Sequence, residues 1–211
     1  MSSVVRSTQS GIDSSSRADA QLADVSDNLN RLRELAVFGS NGTLSEADRA
    51  TLNAEFGALV EEIDRTAYEK AGEEDISLAG GEVLEVQTGT SAGESLSSPA
   101  VDATAEGLNL DNVDLSDSSS AGAALNAVHS AIDTVRTARG DISSFSRSLT
   151  QRQSSASRTQ HGRIASASQI TSLDFALASA ALVSDKLLAS SSIASLMQAN
   201  SDPIHALQLL G

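Results

Sequence analysis

Leu22, Val25, Leu29, Leu32 and Ala36 recur at steps of three and four. That spacing lines one face of a helix as a coiled-coil-like seam. Arg31, Arg33 and Glu34 fall outside it. The pattern predicts a first helix over about 10–37, stopped where Gly39, Asn41 and Gly42 supply turn geometry. Ser45 is placed to cap a second helix, with Glu46 and Asp48 in its positive first turn. Leu52, Phe56, Leu59 and Ile63 continue the rhythm, so the second helix is expected over about 45–71. The short connection makes the two an antiparallel hairpin.

The period then changes. Residues 76–78 and 83–87 read as short strands, residues 88–93 as a turn, and the segment through Leu96 as a second arm. Leu108, Leu110, Val113 and Leu115 alternate with polar residues. So few strands need a helix to cover them, so the region of about 76–115 is expected to be a small hairpin patch. Residues 116–120 read as a polar linker. A third helix over about 120–165 follows from Leu125, Val128, Ile132, Val135, Ala138, Ile142, Phe145 and Leu149. The Ser- and Arg-rich residues 151–168 are either a hinge or a helix with an Ala/Ser seam. Apolar density rises again from Leu173, and Pro203 is expected to interrupt the last helix. The final stripe has no matching apolar helix elsewhere in the sequence. Burial by another chain is favoured over a tail folded back on its own helices.

Composition narrows the function. Aromatic residues are 2% of the 211, with no Trp and two Pro. Small side chains pack helices closely but do not fill a thick globular core, so an elongated mainly α bundle is expected. The net charge is −14, from 28 acidic and 14 basic residues. That excess opposes binding to nucleic acid or to an anionic membrane. No cysteine is present, so thiol catalysis and Cys-based zinc sites are excluded. His129, His161 and His205 are far apart, and none opens H-E-x-x-H. Gly80-Gly81 does not begin a phosphate loop, and no nucleophile elbow occurs. No enzymatic activity and no cofactor are expected.

Residues 28–37, NLNRLRELAV, resemble the segment N-L-Q-R-[IV]-R-E-L-A-V of the bacterial flagellins. Asn41-Gly-Thr, Ala54-Glu55 and residues 59–65 follow in register. Residues 86–93 resemble the family's Q-V-G-A-N-A-G hairpin. Residues 170–175 resemble I-E-D-A-D-Y, and residues 196–210 resemble L-A-Q-A-N…P…L-S-L-L. Single pieces are weak signals, but the colinear set is specific.

The resemblance implies the flagellin core architecture: antiparallel long helices with a β-hairpin patch, here without large variable domains. Residues 1–168 would be the outer-tube helical domain. Residues 169–211 would be the C-terminal half of an inner coiled coil, and the family's opening segment is expected to be missing. That would leave Leu187, Leu188, Ile193, Leu196, Met197, Ile204, Leu207 and Leu210 without their intrachain partner, in a frayed, disordered or self-docked tail. The same residues are the expected contacts for the inner coiled coil and an export chaperone. The implied role is a secreted filament subunit for motility, exported by the type III route to the extracellular flagellum. Implied partners are other flagellin subunits, the chaperone and a host Toll-like receptor of innate immunity. Arg31, Leu35 and Glu55 match the positions that contact this receptor and the axial neighbour. Arg31 and Glu55 would otherwise be ordinary surface charges. The rival roles are a hook–filament junction protein, or a truncated, non-polymerising chain that only binds a chaperone or receptor.

Overall fold

The computed structural model describes the backbone over residues 2–70, 75–89 and 93–209, and side chains over 3–70, 75–89 and 93–200. Among the described residues three helices and one two-stranded sheet follow in the order α1 (Ser2–Gly39), α2 (Glu46–Tyr68), β1 (Glu85–Gln87), β2 (Ser95–Ser97) and α3 (Ser118–Leu209). The fold is mainly helical with a small antiparallel hairpin, as the pattern predicts. The chain divides into two compact units, Met1–Arg158 and Thr159–Gly211.

In the first unit the seam Leu22, Val25, Leu29, Leu32 and Ala36 is fully buried. The helix begins well before residue 10, because the seam continues upstream in disguise. Val4, Thr8, Gly11, Ser15 and Ala18 hold the same three-four spacing and are buried. Their polar members are satisfied within the helix. Thr8 Oγ1 donates to Val4 O at 2.9 Å, and Ser15 Oγ donates to Gly11 O at 2.7 Å. A buried hydroxyl bonded to the preceding turn costs little, so it can stand in an otherwise apolar stripe.

Helix α2 starts where expected. Ser45 Oγ accepts from Asp48 N at 3.2 Å, and Phe56, Ile63 and Ala67 face inward. It runs antiparallel to α1: Arg49 reaches Gly39 O, Arg31 reaches Glu55, and Gln21 reaches Glu69 O. The first part of α3 is antiparallel to α1 as well. Ala121 lies beside Gly39, Arg139 pairs with Asp19, and Gln153 bonds Gln9. Its inward face carries Ala121, Ala124, Val128, Ala131, Val135, Ile142, Phe145 and Leu149.

Among the described residues between α2 and α3 only the hairpin is regular, in the register Glu85↔Ser97, Val86↔Leu96 and Gln87↔Ser95. Residues 76–78 are not a strand. Ile76 and Leu78 are buried, and Ile76 N donates to Ser14 Oγ of α1 at 2.7 Å. Nor do residues 109–115 form one. They are turns and irregular chain, and side chains of α2 hold the segment at both ends: Asp64 Oδ1 accepts from Ala105 N at 2.7 Å, and Asn53 Oδ1 accepts from Leu115 N at 2.8 Å. Asn109 adopts φ 56°, a left-handed conformation that asparagine tolerates. The expected linker at 116–120 is instead a helix start, where Asp117 Oδ1 accepts from Ser120 N at 2.7 Å.

In the second unit α3 continues to Leu209. The Ser- and Arg-rich stretch is helical, and Pro203 does not end the helix. Neither a frayed nor a self-docked tail is seen among the described residues: the stretch is helical and its large apolar side chains are exposed. Leu210 lies outside the described residues, as do the side chains of Ile204 and Leu207.

Candidate interaction surfaces

The α1–α2 hairpin brings two of the expected contact residues together. Arg31 Nη2 donates to Glu55 Oε1 at 2.7 Å, its Nε donates to the same oxygen at 3.1 Å, and its Nη1 donates to Glu34 Oε2 at 3.0 Å. The Arg31 and Glu55 side chains remain 51% and 42% exposed. Its hydrogen bond to Glu55, then that to Glu34, holds the Arg31 guanidinium above its ordinary pKa. The cluster is a fixed charge pattern on a helical surface.

Leu35 is not on that surface. It is 4% exposed and joins the core cluster one residue from the seam position Ala36. The apolar side chains displayed at this end of α1 are Val37 and Phe38. With Arg33, Glu34 and Asn41 they line a shallow groove. The signal for them was present in the sequence, since large apolar residues off a helix seam are candidates for exposure.

The second surface is on α3 beyond residue 170. Leu187 and Leu188 are each 64% exposed, Ile193 and Leu196 are also exposed, and Met197 is 70% exposed. Leu173, Leu177, Ala180 and Leu187 fall along one seam of the helix. Phe175, Leu182, Ile193 and Leu196 fall along another, near the opposite side. A helix apolar on two sides requires cover on both. A single groove or one coiled-coil partner leaves half of it in water.

Among the described residues no three His, Cys, Asp or Glu side chains gather as a metal site. His129 and His161 are exposed. No helix of the described residues is long and apolar enough to cross a membrane.

Residues 1–80 match the family model described as the bacterial flagellin N-terminal helical region. A flagellin of Halalkalibacterium halodurans is 31% identical, over 97% of this chain and 76% of the relative. A flagellin of Listeria innocua is 28% identical, over 97% of this chain and 77% of the relative. Among solved structures, the crystal structure of a Bacillus cereus flagellin matches with a TM-score of 0.63 and 26% identity, covering 72% of this chain and 88% of the other.

Proposed function

The chain belongs to the bacterial flagellins, and from that premise we propose that it is a structural subunit of the flagellar filament, working by packing and not by catalysis. The observation that carries this reading is the described part of α3 beyond residue 170, with its large apolar side chains exposed on two sides. In water such a helix is poorly satisfied. Between neighbouring copies it is buried on both sides, at about 25 cal/mol per Å² of apolar surface removed from water. Residues 1–168 serve as the outer-tube domain and residues 169–211 as the C-terminal half of the inner coiled coil. Other flagellin subunits are the partners, and the extracellular bacterial flagellum is the site of action.

Two further partners belong to the proposal. An export chaperone of the type III route covers Leu187, Leu188, Ile193, Leu196 and Met197, with Ile204, Leu207 and Leu210, before assembly. The monomer is read by a Toll-like receptor through Arg31 and Glu55, with Leu35 supporting the helix face from below. The extended identity to flagellins favours the filament role over a hook–filament junction protein.

Seeded polymerisation followed by sedimentation tests the main reading. The unaltered chain should enter the pellet with flagellin seeds, and Leu187→Asp with Leu196→Asp should keep it in the supernatant while the first unit stays folded. Equal pelleting of both would remove the basis for the assignment. For the receptor, joint Arg31→Ala and Glu55→Ala substitution should weaken monomer binding; unchanged affinity would dismiss that contact.

A further inference from the structure

The turn between α1 and α2 contains Asn41-Gly42. In such a pair the glycine nitrogen can attack the asparagine side-chain carbonyl carbon and close a five-membered imide. Two barriers hold this step back. The nitrogen is a poor nucleophile until it loses its proton, and that loss places charge on the oxygen of its own peptide group. Attack then places charge on the side-chain oxygen.

The fold sets a donor at each point. The oxygen of the Asn41–Gly42 peptide group accepts from Arg49 Nη2 at 2.8 Å. Arg49 is steadied there by a second bond, Nη1 to Gly39 O at 2.8 Å. The Asn41 side-chain oxygen accepts from Thr43 N at 3.2 Å and from Thr43 Oγ1 at 2.9 Å. A permanent cation thus faces the charge of the deprotonated peptide, and two donors face the charge of the tetrahedral adduct. Gly42 is unhindered: a Cβ there would meet nothing within 4 Å. Among the described residues its N–H donates to no acceptor. Asn41 is exposed, so water reaches it.

We propose that this turn is a self-modifying site, at which Arg49 and Thr43 promote deamidation of Asn41. The Gly42 nitrogen gives up its proton to solvent and bonds to Asn41 Cγ. The Cγ–Nδ2 bond breaks, and Nδ2 leaves as ammonia with a proton from water. Water then adds to the imide. Opening at Cγ yields an aspartate at position 41, and opening at the backbone carbonyl yields an isoaspartate. The sum is amide plus water to acid plus ammonia, with no oxidant or reductant. Each event adds one carboxylate beside Arg49 and to the groove of Arg33, Val37 and Phe38. It is independent of whether the chain polymerises.

The test compares the full chain folded in buffer with the same chain in denaturant, at equal pH and temperature. Product at position 41 is read by peptide mass spectrometry and by isoaspartate-specific methyl transfer. Folding ordinarily slows this reaction by restricting the backbone. Here the folded chain should react faster than the denatured one by about tenfold or more, a modest share of what a single well-placed oxyanion donor contributes in enzymes. Arg49→Gln and Thr43→Val should each lower the folded rate toward the denatured rate and leave the denatured rate unchanged. A folded chain that reacts no faster than the denatured chain overturns the proposal. Should Arg49→Gln loosen the turn, Thr43→Val remains decisive: a folded rate equal to that of the unaltered chain overturns it too.

Discussion

Replacing Gly11 by alanine should weaken the fold, although the same change elsewhere in these helices should strengthen it. Helix α1 passes Gly11 against the hairpin and α3. A Cβ at that position would stand 2.9 Å from Leu149 Cδ1, 2.9 Å from Val86 Cγ2 and 3.2 Å from Val86 Cγ1. At Gly57 in α2, an added Cβ meets nothing within 4 Å. In an open helix interior, alanine is favoured over glycine by about 1 kcal/mol, because glycine loses more backbone entropy on folding. Gly57→Ala should therefore stabilise by about 1 kcal/mol. At Gly11 the same gain is opposed by overpacking, typically about 1–3 kcal/mol. The Leu149 methyl can swing aside, but Val86 is β-branched and held in β1, so the larger part of that cost should stand. Gly11→Ala should come out destabilising by about 0–2 kcal/mol, the difference of those two effects. In a domain of this size each kcal/mol moves the melting temperature by about 2–4 °C. Urea unfolding followed by hydrogen exchange at Leu22, Leu29 and Leu32 reads the first unit alone. If Gly11→Ala raises stability as much as Gly57→Ala does, the close approach of helix and hairpin is wrong.

The loops before α3 should depend on single carboxylates. Asp64→Ala removes the acceptor of Ala105 N and should cost about 1–2 kcal/mol, while Asp64→Asn, which keeps an oxygen there, should restore most of it in the same urea experiment. Asp117 accepts from the backbone of Ser120 and then Ser119, which lowers its pKa below the usual aspartate value. Its contribution is therefore present above the unfolded aspartate pKa and is lost as pH falls through the lower, folded one. An NMR titration that found Asp117 at or above the ordinary aspartate value would contradict this cap.

Much of the helical frame was readable because its seam is built from large apolar residues. Leu22 through Ala36 could be placed from spacing alone, and so could Phe56, Ile63, Val128 and Leu149. The same seam in residues 4–18 was not readable. Thr8, Gly11 and Ser15 look polar or neutral in sequence, and only the carbonyls they bond and the neighbours they touch make them interior. The segment before α3 misled for a related reason. Alternating leucines near residue 110 resemble a strand, yet their burial comes from turns pinned by Asp64 and Asn53, whose partners lie 41 and 62 residues away. No local pattern carries that information. The Arg31–Glu55 contact was legible once the hairpin was known to be antiparallel, whereas the burial of Leu35, three residues beyond Leu32, shows only in the packing of the helices.

Helix α3 is the strongest argument for reading function from pattern. Its two parts have the same backbone and different sidedness. From Ala121 to Leu149 the inward face is buried by the chain's own helices. From Leu173 to Met197 apolar side chains occupy two sides, and those described are exposed. Exposed apolar surface of this kind is costly in water for an acidic protein unless something covers it. A one-sided stripe would be satisfied by a single partner helix. Two sides call for neighbours on both, as a repeating assembly of copies supplies. The net charge of −14 resists random association between chains. Productive contact must then be concentrated in a segment where charge is sparse, and between residues 173 and 200 only Asp174, Asp185 and Lys186 are charged. Repulsion over most of the surface and cohesion along one helix together favour ordered polymerisation over precipitation.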